Sequence, residues 1–337
     1  MSNCTVIGMD TSKNVFEICG GDRTRITLRK RLFRSEILSF FRSLQSTLVA
    51  MEAGPASHYW WRELQKLGHE VRLIAPQFVK PYVKSNKSDR IDAEAIYEAV
   101  QRPGMRFVSV KGIEEQELQH VHRRRSLAYK QWVAVNNELR GMLAEYGVVI
   151  SKGKKALRLV PEKIEELGGT LSSLGVRILR DLYEEVVRLE SDIGKLDVLV
   201  EGLCKAHPVC RRLDTIPGVG PVIATAIVSA VPDAGVFKNG REFAAFLGLV
   251  PRHTGTGGRN RAGRISKRGD SYIRKQLVHG ARSVLYRAGQ KTDRLSTWAE
   301  SIKKRRGWNK AAVAVANKNA RIIWALLRYE TEYKAAA

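Results

Sequence analysis

The apolar positions change period repeatedly over the first hundred residues, and each change marks an element. Residues 4–10, CTVIGMD, form a short apolar run that ends on Asp10. Residues 14–30 hold two further extended stretches around Gly20-Gly21-Asp22, a hairpin signal. Helical spacing follows over 35–44, then a buried type of strand over 46–52 that ends on Glu52. A second helical stretch, 56–68, stops at Gly68, and 69–76 reads as one more strand before a helix opening on Asp89 and Asp92. The order βββαβαβα predicts a mixed sheet flanked by helices, an α/β domain over residues 1–108.

Beyond it the pattern becomes helical. Residues 112–146 contain no proline, and over 176–203 the apolar positions Leu182, Val186, Leu189, Ile193, Leu196 and Val200 step by four and three, a heptad seam. Two antiparallel helices joined by an irregular segment, 147–175, are expected to form a coiled-coil arm over 109–206, with its seam available for a homo-oligomer. His120, His122 and Arg123–Arg125 read as a solvated or RNA-facing stripe on that arm. The third region, 207–337, is expected to be mainly helical. In it Pro217-Gly218-Val219-Gly220 lies between two helical segments, as in a helix-hairpin-helix element whose backbone N–H groups can approach a phosphate.

Charge changes the picture from architecture to partner. The 337 residues carry 58 Lys and Arg against 34 Asp and Glu, a net +24, so the expected partner is a polyanion, nucleic acid before an anionic membrane surface. Hydrophobic content of 44% excludes a mostly disordered chain. No apolar run approaches a membrane span and the first residues lack a signal-peptide layout, so a cytoplasmic protein with no membrane partner is expected. Cys4, Cys19, Cys204 and Cys210 are too scattered for a disulfide framework, and Cys204, His207 and Cys210 have no zinc-site spacing.

Cations concentrate between residues 252 and 275. Arg252, Arg259, Arg261, Arg264, Lys267, Arg268, Arg274 and Lys275 face one acid, Asp270, and glycines at 255, 257, 258 and 263 suggest a loop that moulds itself to a phosphate backbone. Against this background the acids stand out. Asp10 and Glu52 end strands, and Asp89 and Asp92, three apart, share one face at a helix start. Singly, each has an ordinary explanation as a turn or cap residue favoured by the helix dipole. Together they make the oxygen set that a hard cation such as Mg²⁺ needs in phosphoryl transfer.

The stretches GMDTSKNVF, AMEAGPASHYW and NKSDRIDAEAI resemble the acidic blocks of the DEDD transposases of insertion sequences, the IS110 family, with their RuvC-like, ribonuclease-H-like N-terminal domain. Residues 247–270, with GLVP followed by ISKRGD, resemble that family's second signature. The resemblance implies that Asp10, Glu52, Asp89 and Asp92 hold the metal, and that Thr256, five residues after Pro251, is the hydroxyl that attacks DNA. This position is commonly serine in the family; Ser266, at an expected helix start, is the rival. It further implies DNA transposition and recombination guided by a structured RNA of the element, and a dimer or tetramer assembled through the arm; the separation of the carboxylates from Thr256 in the sequence leaves open whether one subunit or two supply the active site. Pro217, Gly218, Gly220, Arg252, Arg259, Arg261, Arg264, Lys267 and Arg268 are the expected nucleic-acid contacts. Two other functions fit parts of the pattern: a RuvC-like Holliday-junction resolvase that activates water, and a binding protein without catalysis.

Overall fold

The computed structural model describes residues 4–84, 88–151, 153–256 and 259–334. The chain divides into two compact units, residues 1–112 and 113–337.

The first unit is a five-stranded mixed sheet. Its strands are β1 (Val6–Asp10), β2 (Val15–Gly21), β3 (Ile26–Phe33), β4 (Leu48–Glu52) and β5 (Glu70–Ile74). They lie in the order β3-β2-β1-β4-β5, with β2 antiparallel to β1 and β3 and with β1, β4 and β5 parallel. That order is consistent with a ribonuclease-H-like sheet. Alternation along the strands separates two cores. Ile7, Met9, Phe16, Ile18 and Met51 face α1 (Ile37–Arg42) and α2 (Ser57–Lys66), which contribute Phe41, Trp60 and Leu64. Val6, Cys19 and Ala50 face the opposite side, where Ala93, Ile96 and Tyr97 cover them. A short helix unseen in the sequence pattern, α3 (Pro76–Val79), precedes the helix that supplies those three, α4 (Asp89–Val100).

The second unit is helical except for one hairpin. Helices α5 (Ile113–Glu145) and α8 (Ser173–Ala206) pack antiparallel: Arg125 pairs with Asp197, while Leu139 and Leu143 share a cluster with Leu179 and Val186. The expected seam faces inward, with Val186, Leu189, Ile193 and Val200 buried and Leu182 and Leu196 half-buried. The connecting segment is more regular than its sequence predicts. It holds α6 (Lys154–Leu157) and α7 (Val160–Glu166), and Leu157, Val160 and Ile164 seal the cluster at that end of the helix pair.

The largest core joins α9 (Pro208–Asp214), α10 (Pro221–Ala230), α11 (Gly240–Phe246), α12 (Ser271–Ala288), α13 (Arg294–Arg306) and α14 (Trp308–Tyr329), with Leu118 of α5 packed against it. Residues 113–206 and 207–337 therefore meet in one compact unit. Cys204 and Cys210 belong to this core, and burial pushes their thiols up to about 11 and about 12. The turn between α9 and α10 packs backbone against backbone. Gly218 has a φ of +80°, and a Cβ there would stand 2.6 Å from the carbonyl oxygen of Gly280 on α12. A Cβ on Gly280 would meet the Gly218 carbonyl oxygen at 1.8 Å.

The basic stretch is an antiparallel ribbon, β6 (Pro251–Thr256) and β7 (Arg259–Ile265), rather than a loop. Ladder hydrogen bonds satisfy the backbone groups that a moulding loop would leave to solvent. Ser266 does not start a helix: α12 begins at Ser271, where the Asp270 carboxylate accepts the N–H groups of Tyr272 and Ile273. Among the described residues no helix is long and apolar enough to cross a membrane.

Candidate active site and nucleic-acid surface

The parallel register sets Met9 beside Met51, so Asp10 and Glu52 end neighbouring strands. Both fall on the sheet face that carries Val6 and Ala50 and is covered by α4. Gly8 makes that cover possible. A Cβ at this position would lie 2.4 Å from the Tyr97 nitrogen and 2.5 Å from the Ala93 oxygen, so only glycine admits the helix backbone so close to β1. The N-terminus of α4 is fixed by Ser88, whose hydroxyl accepts the Ile91 N–H, and Asp89 and Asp92 occupy the first turn.

Electrostatics report the result. The Asp10 carboxyl is raised from its ordinary 3.8 to about 6, first by burial and then by the charges of Asp92, Asp89 and Glu52, with the Thr11 N–H acting the other way. All three other acids of the expected set thus act on Asp10. Their oxygens fit a hard divalent cation in chemistry, and a cation would relieve the repulsion among them. Among the described residues, however, no three Asp, Glu, His or Cys side chains stand at a separation suited to one ion. The charges are felt over a longer range than the ligand shell of an ion, whose bonds are roughly 2.0–2.6 Å.

In the second unit Thr256 is the last residue of β6, paired with Arg259, at the outer end of the ribbon; Gly257 and Gly258 lie outside the described residues. Arg252, Arg261, Arg264, Lys267 and Arg268 are exposed. Arg252 also has an internal task, since its guanidinium donates twice to the Ser266 carbonyl, at 3.3 and 3.2 Å. Ser266 itself is buried, and its hydroxyl accepts the Arg268 N–H. Of the expected contacts in the turn, Gly218 faces α12, while a Cβ at Gly220 would meet open space.

Two polar constructions were not anticipated. Arg274, counted among the loop cations, turns back to donate to the carbonyls of Leu247, Arg268, Gly269 and Asp270, and so pins the turn that leads from the ribbon into α12. His122 is buried rather than solvated: Nε2 lies 3.0 Å from Thr225 Oγ1 and Nδ1 lies 3.0 Å from the Tyr272 hydroxyl. Thr225 gives its own proton to the Pro221 carbonyl, so Nε2–H donates to Thr225 and Nδ1 accepts from Tyr272. Burial, and then Arg125, hold the imidazole down at about 4, which keeps it neutral. No sequence period signals this role; a lone histidine on a polar stretch looks the same whether a partner helix covers it or not.

Comparison with known proteins agrees with both halves. Residues 7–148 match the DEDD_Tnp_IS110 transposase family, and residues 210–296 match the family described as Transposase IS116/IS110/IS902. The chain is 46% identical over 336 residues to a probable family 20 transposase of Pseudomonas aeruginosa, covering 98% of this chain and 99% of the relative. It is 39% identical over 345 residues to the transposase for insertion sequence element IS1111A of Coxiella burnetii, covering 100% and 93%. To the transposase for insertion sequence element IS1328 of Yersinia enterocolitica it is 36% identical over 337 residues, covering 99% of each. With that kinship running through both units, the chain belongs to the IS110 family of insertion-sequence transposases.

Proposed function

We propose that this transposase cuts and rejoins DNA by phosphoryl transfer from a site composed of Asp10, Glu52, Asp89, Asp92 and Thr256. The raised Asp10 carboxyl supports the reading most, because a chain of net charge +24 has gathered four acids at one end of its sheet. Asp10, Glu52, Asp89 and Asp92 would hold Mg²⁺, which would offset the charge that develops on the phosphate and acidify the attacking hydroxyl. As the Thr256 oxygen forms a bond to phosphorus its hydroxyl proton passes to a carboxylate of the set, the bond from phosphorus to the oxygen of the departing strand breaks, and that oxygen takes up a proton. Arg259, Arg261, Arg264, Lys267 and Arg268 hold phosphates on either side, with the backbone of the Pro217–Gly220 turn as a further contact. A structured RNA chooses the DNA sites by base pairing. The helical arm assembles a dimer or tetramer, and the reaction takes place in the cytoplasm.

The test is a trapping reaction with a labelled DNA site. A protein–DNA adduct that survives denaturant and is lost on protease treatment is expected, with none from Thr256→Ala and with activity retained in Thr256→Ser. DNA cut without an adduct in every variant would assign the site to water-activating nuclease chemistry instead, and an adduct lost only in Ser266→Ala would move the nucleophile to that residue.

A further inference from the structure

A groove of about 1080 Å³ lies at the root of the β6–β7 ribbon, between α11 and α14, with Trp298 of α13 on its wall. None of the residues lining it is acidic. Leu249, Ile265 and Ala314 give it an apolar floor, while Arg241, Lys310, Lys318 and Arg321 supply four cations. Specific contacts fix the elements that line the groove. Asn317 of α14 donates to the Leu249 carbonyl at 3.2 Å, and Gly240 lets α11 approach the Arg321 backbone, where a Cβ would come within 3.1 Å of its Cα.

The cations have not been neutralised internally. Among the described residues no carboxylate forms an ion pair with any of the four, although thirteen such pairs occur elsewhere in the chain. Lys318 Nζ sits 4.4 Å from the centre of the Trp298 ring, and burial, followed by Arg294 and Arg321, lowers its proton affinity. Four like charges around one concavity are stabilised when an anion enters it. The Trp298 face is already covered by Lys318, and the Trp324 indole donates to the Ala234 carbonyl, so neither offers a free stacking platform.

We propose that this groove binds a single-stranded segment of DNA, its phosphates on the basic rim and its sugars and bases against the apolar floor. The proposal rests on the DNA-cutting reading above. A duplex turns its bases inward and offers an apolar floor nothing to bury, whereas a single strand exposes an anionic edge and an apolar edge together. DNA is favoured because Pro251 and Ile265, which line the groove, are paired at the root of the ribbon that ends on Thr256. Six residues of β6 span roughly 17–20 Å at about 3.3 Å each, so a strand opened beside Thr256 has a short path to the groove.

Binding of a fluorescent oligodeoxythymidine of about ten nucleotides to the full chain, read by anisotropy, tests the assignment. Arg241→Gln, Lys310→Gln and Arg321→Gln together should weaken it about tenfold or more, with a shallower salt dependence. Duplex DNA of the same length should bind as before. The exchanges Arg241→Lys, Lys310→Arg and Arg321→Lys should keep binding, as should a charge-matched control, Arg287→Gln, Lys291→Gln and Lys304→Gln, outside the groove. Unchanged affinity in the first triple, equal loss in the control, or an equal or larger loss for the corresponding RNA would overturn the proposal. The covalent adduct assayed in the same proteins separates the two readings: adduct formation with unaltered single-strand affinity removes the groove alone, and no adduct in the unaltered protein removes the reading beneath it.

Discussion

The carboxylate cluster and the basic ribbon are built by opposite means. Asp10 and Glu52 end strands whose preceding residues, Met9, Ala50 and Met51, are fully buried, and α4 is held over them by a contact that admits no Cβ at Gly8. The ribbon has no core of its own. Two strands alone are marginally stable, and this pair is fastened at its root, through the Ser266 N–H to the Val250 carbonyl and Arg252 to the Ser266 carbonyl. A metal-assisted centre needs fixed donors, because displacements of about 1 Å already cost rate. Phosphate contacts by arginine tolerate movement, because a guanidinium on a long stem can follow the backbone it binds.

Three variants break or sharpen that contrast. The largest effect belongs to Asp10→Asn, which should lower strand cleavage by about three orders of magnitude or more while leaving nucleic-acid affinity intact. Without divalent cation the same change should stabilise the protein. A carboxyl whose proton affinity is raised by folding favours the folded state only while protonated, so stability falls as the pH rises from about 4 to about 6. The neutral amide escapes that loss; above pH 6 the variant should melt higher, by on the order of 1 kcal/mol after solvent screening, and below about pH 4 the difference should vanish. A variant that melts lower at pH 7.5 would mean that Asp10 is not under repulsion.

Next in size is Gly8→Ala. Its methyl group meets backbone at 2.4–2.8 Å, which no side-chain rotation relieves, and the chain should lose about 3 kcal/mol in denaturant titration along with its cleavage activity. Unchanged stability would show that α4 can lift without consequence. The smallest effect is expected from Arg259→Gln, Arg261→Gln and Arg264→Gln together. DNA affinity should fall on all sequences alike, with the salt slope reduced by roughly one per lost contact, and the melting temperature should not move. A loss confined to one DNA sequence would mean base reading.

The N-terminal half was largely legible because its strands are short, buried and bounded by turns, so the order of elements and the ends that carry acids follow from periodicity. Its one omission, α3, is four residues long and begins at Pro76, beneath the length at which a period can be counted. The C-terminal half was read less well for a physical reason. Glycines at 255, 257, 258 and 263 look like a loop, yet the pairing of 251–256 with 259–265 overrides the low β-propensity of Gly255 and Gly263. His122, Arg125 and Arg274 look like parts of a charged surface, and only tertiary contact with Tyr272, Asp197 and the 268–270 carbonyls makes them internal. Sequence spacing marked the residues for the proposed chemistry; the glycine and arginine contacts that hold them in position leave no period behind.

The touching backbones of Gly218 and Gly280 bind two distant sites into one unit of inheritance. Either glycine alone protects nothing, since the approach needs both. Once a methyl group has forced the α9–α10 turn away from α12, a second methyl group on the facing position meets a gap that already exists, so the two losses overlap instead of adding. Loss of Gly218 therefore relaxes the constraint on Gly280, whereas a lineage that has lost Gly280 still needs glycine at 218 for its positive φ.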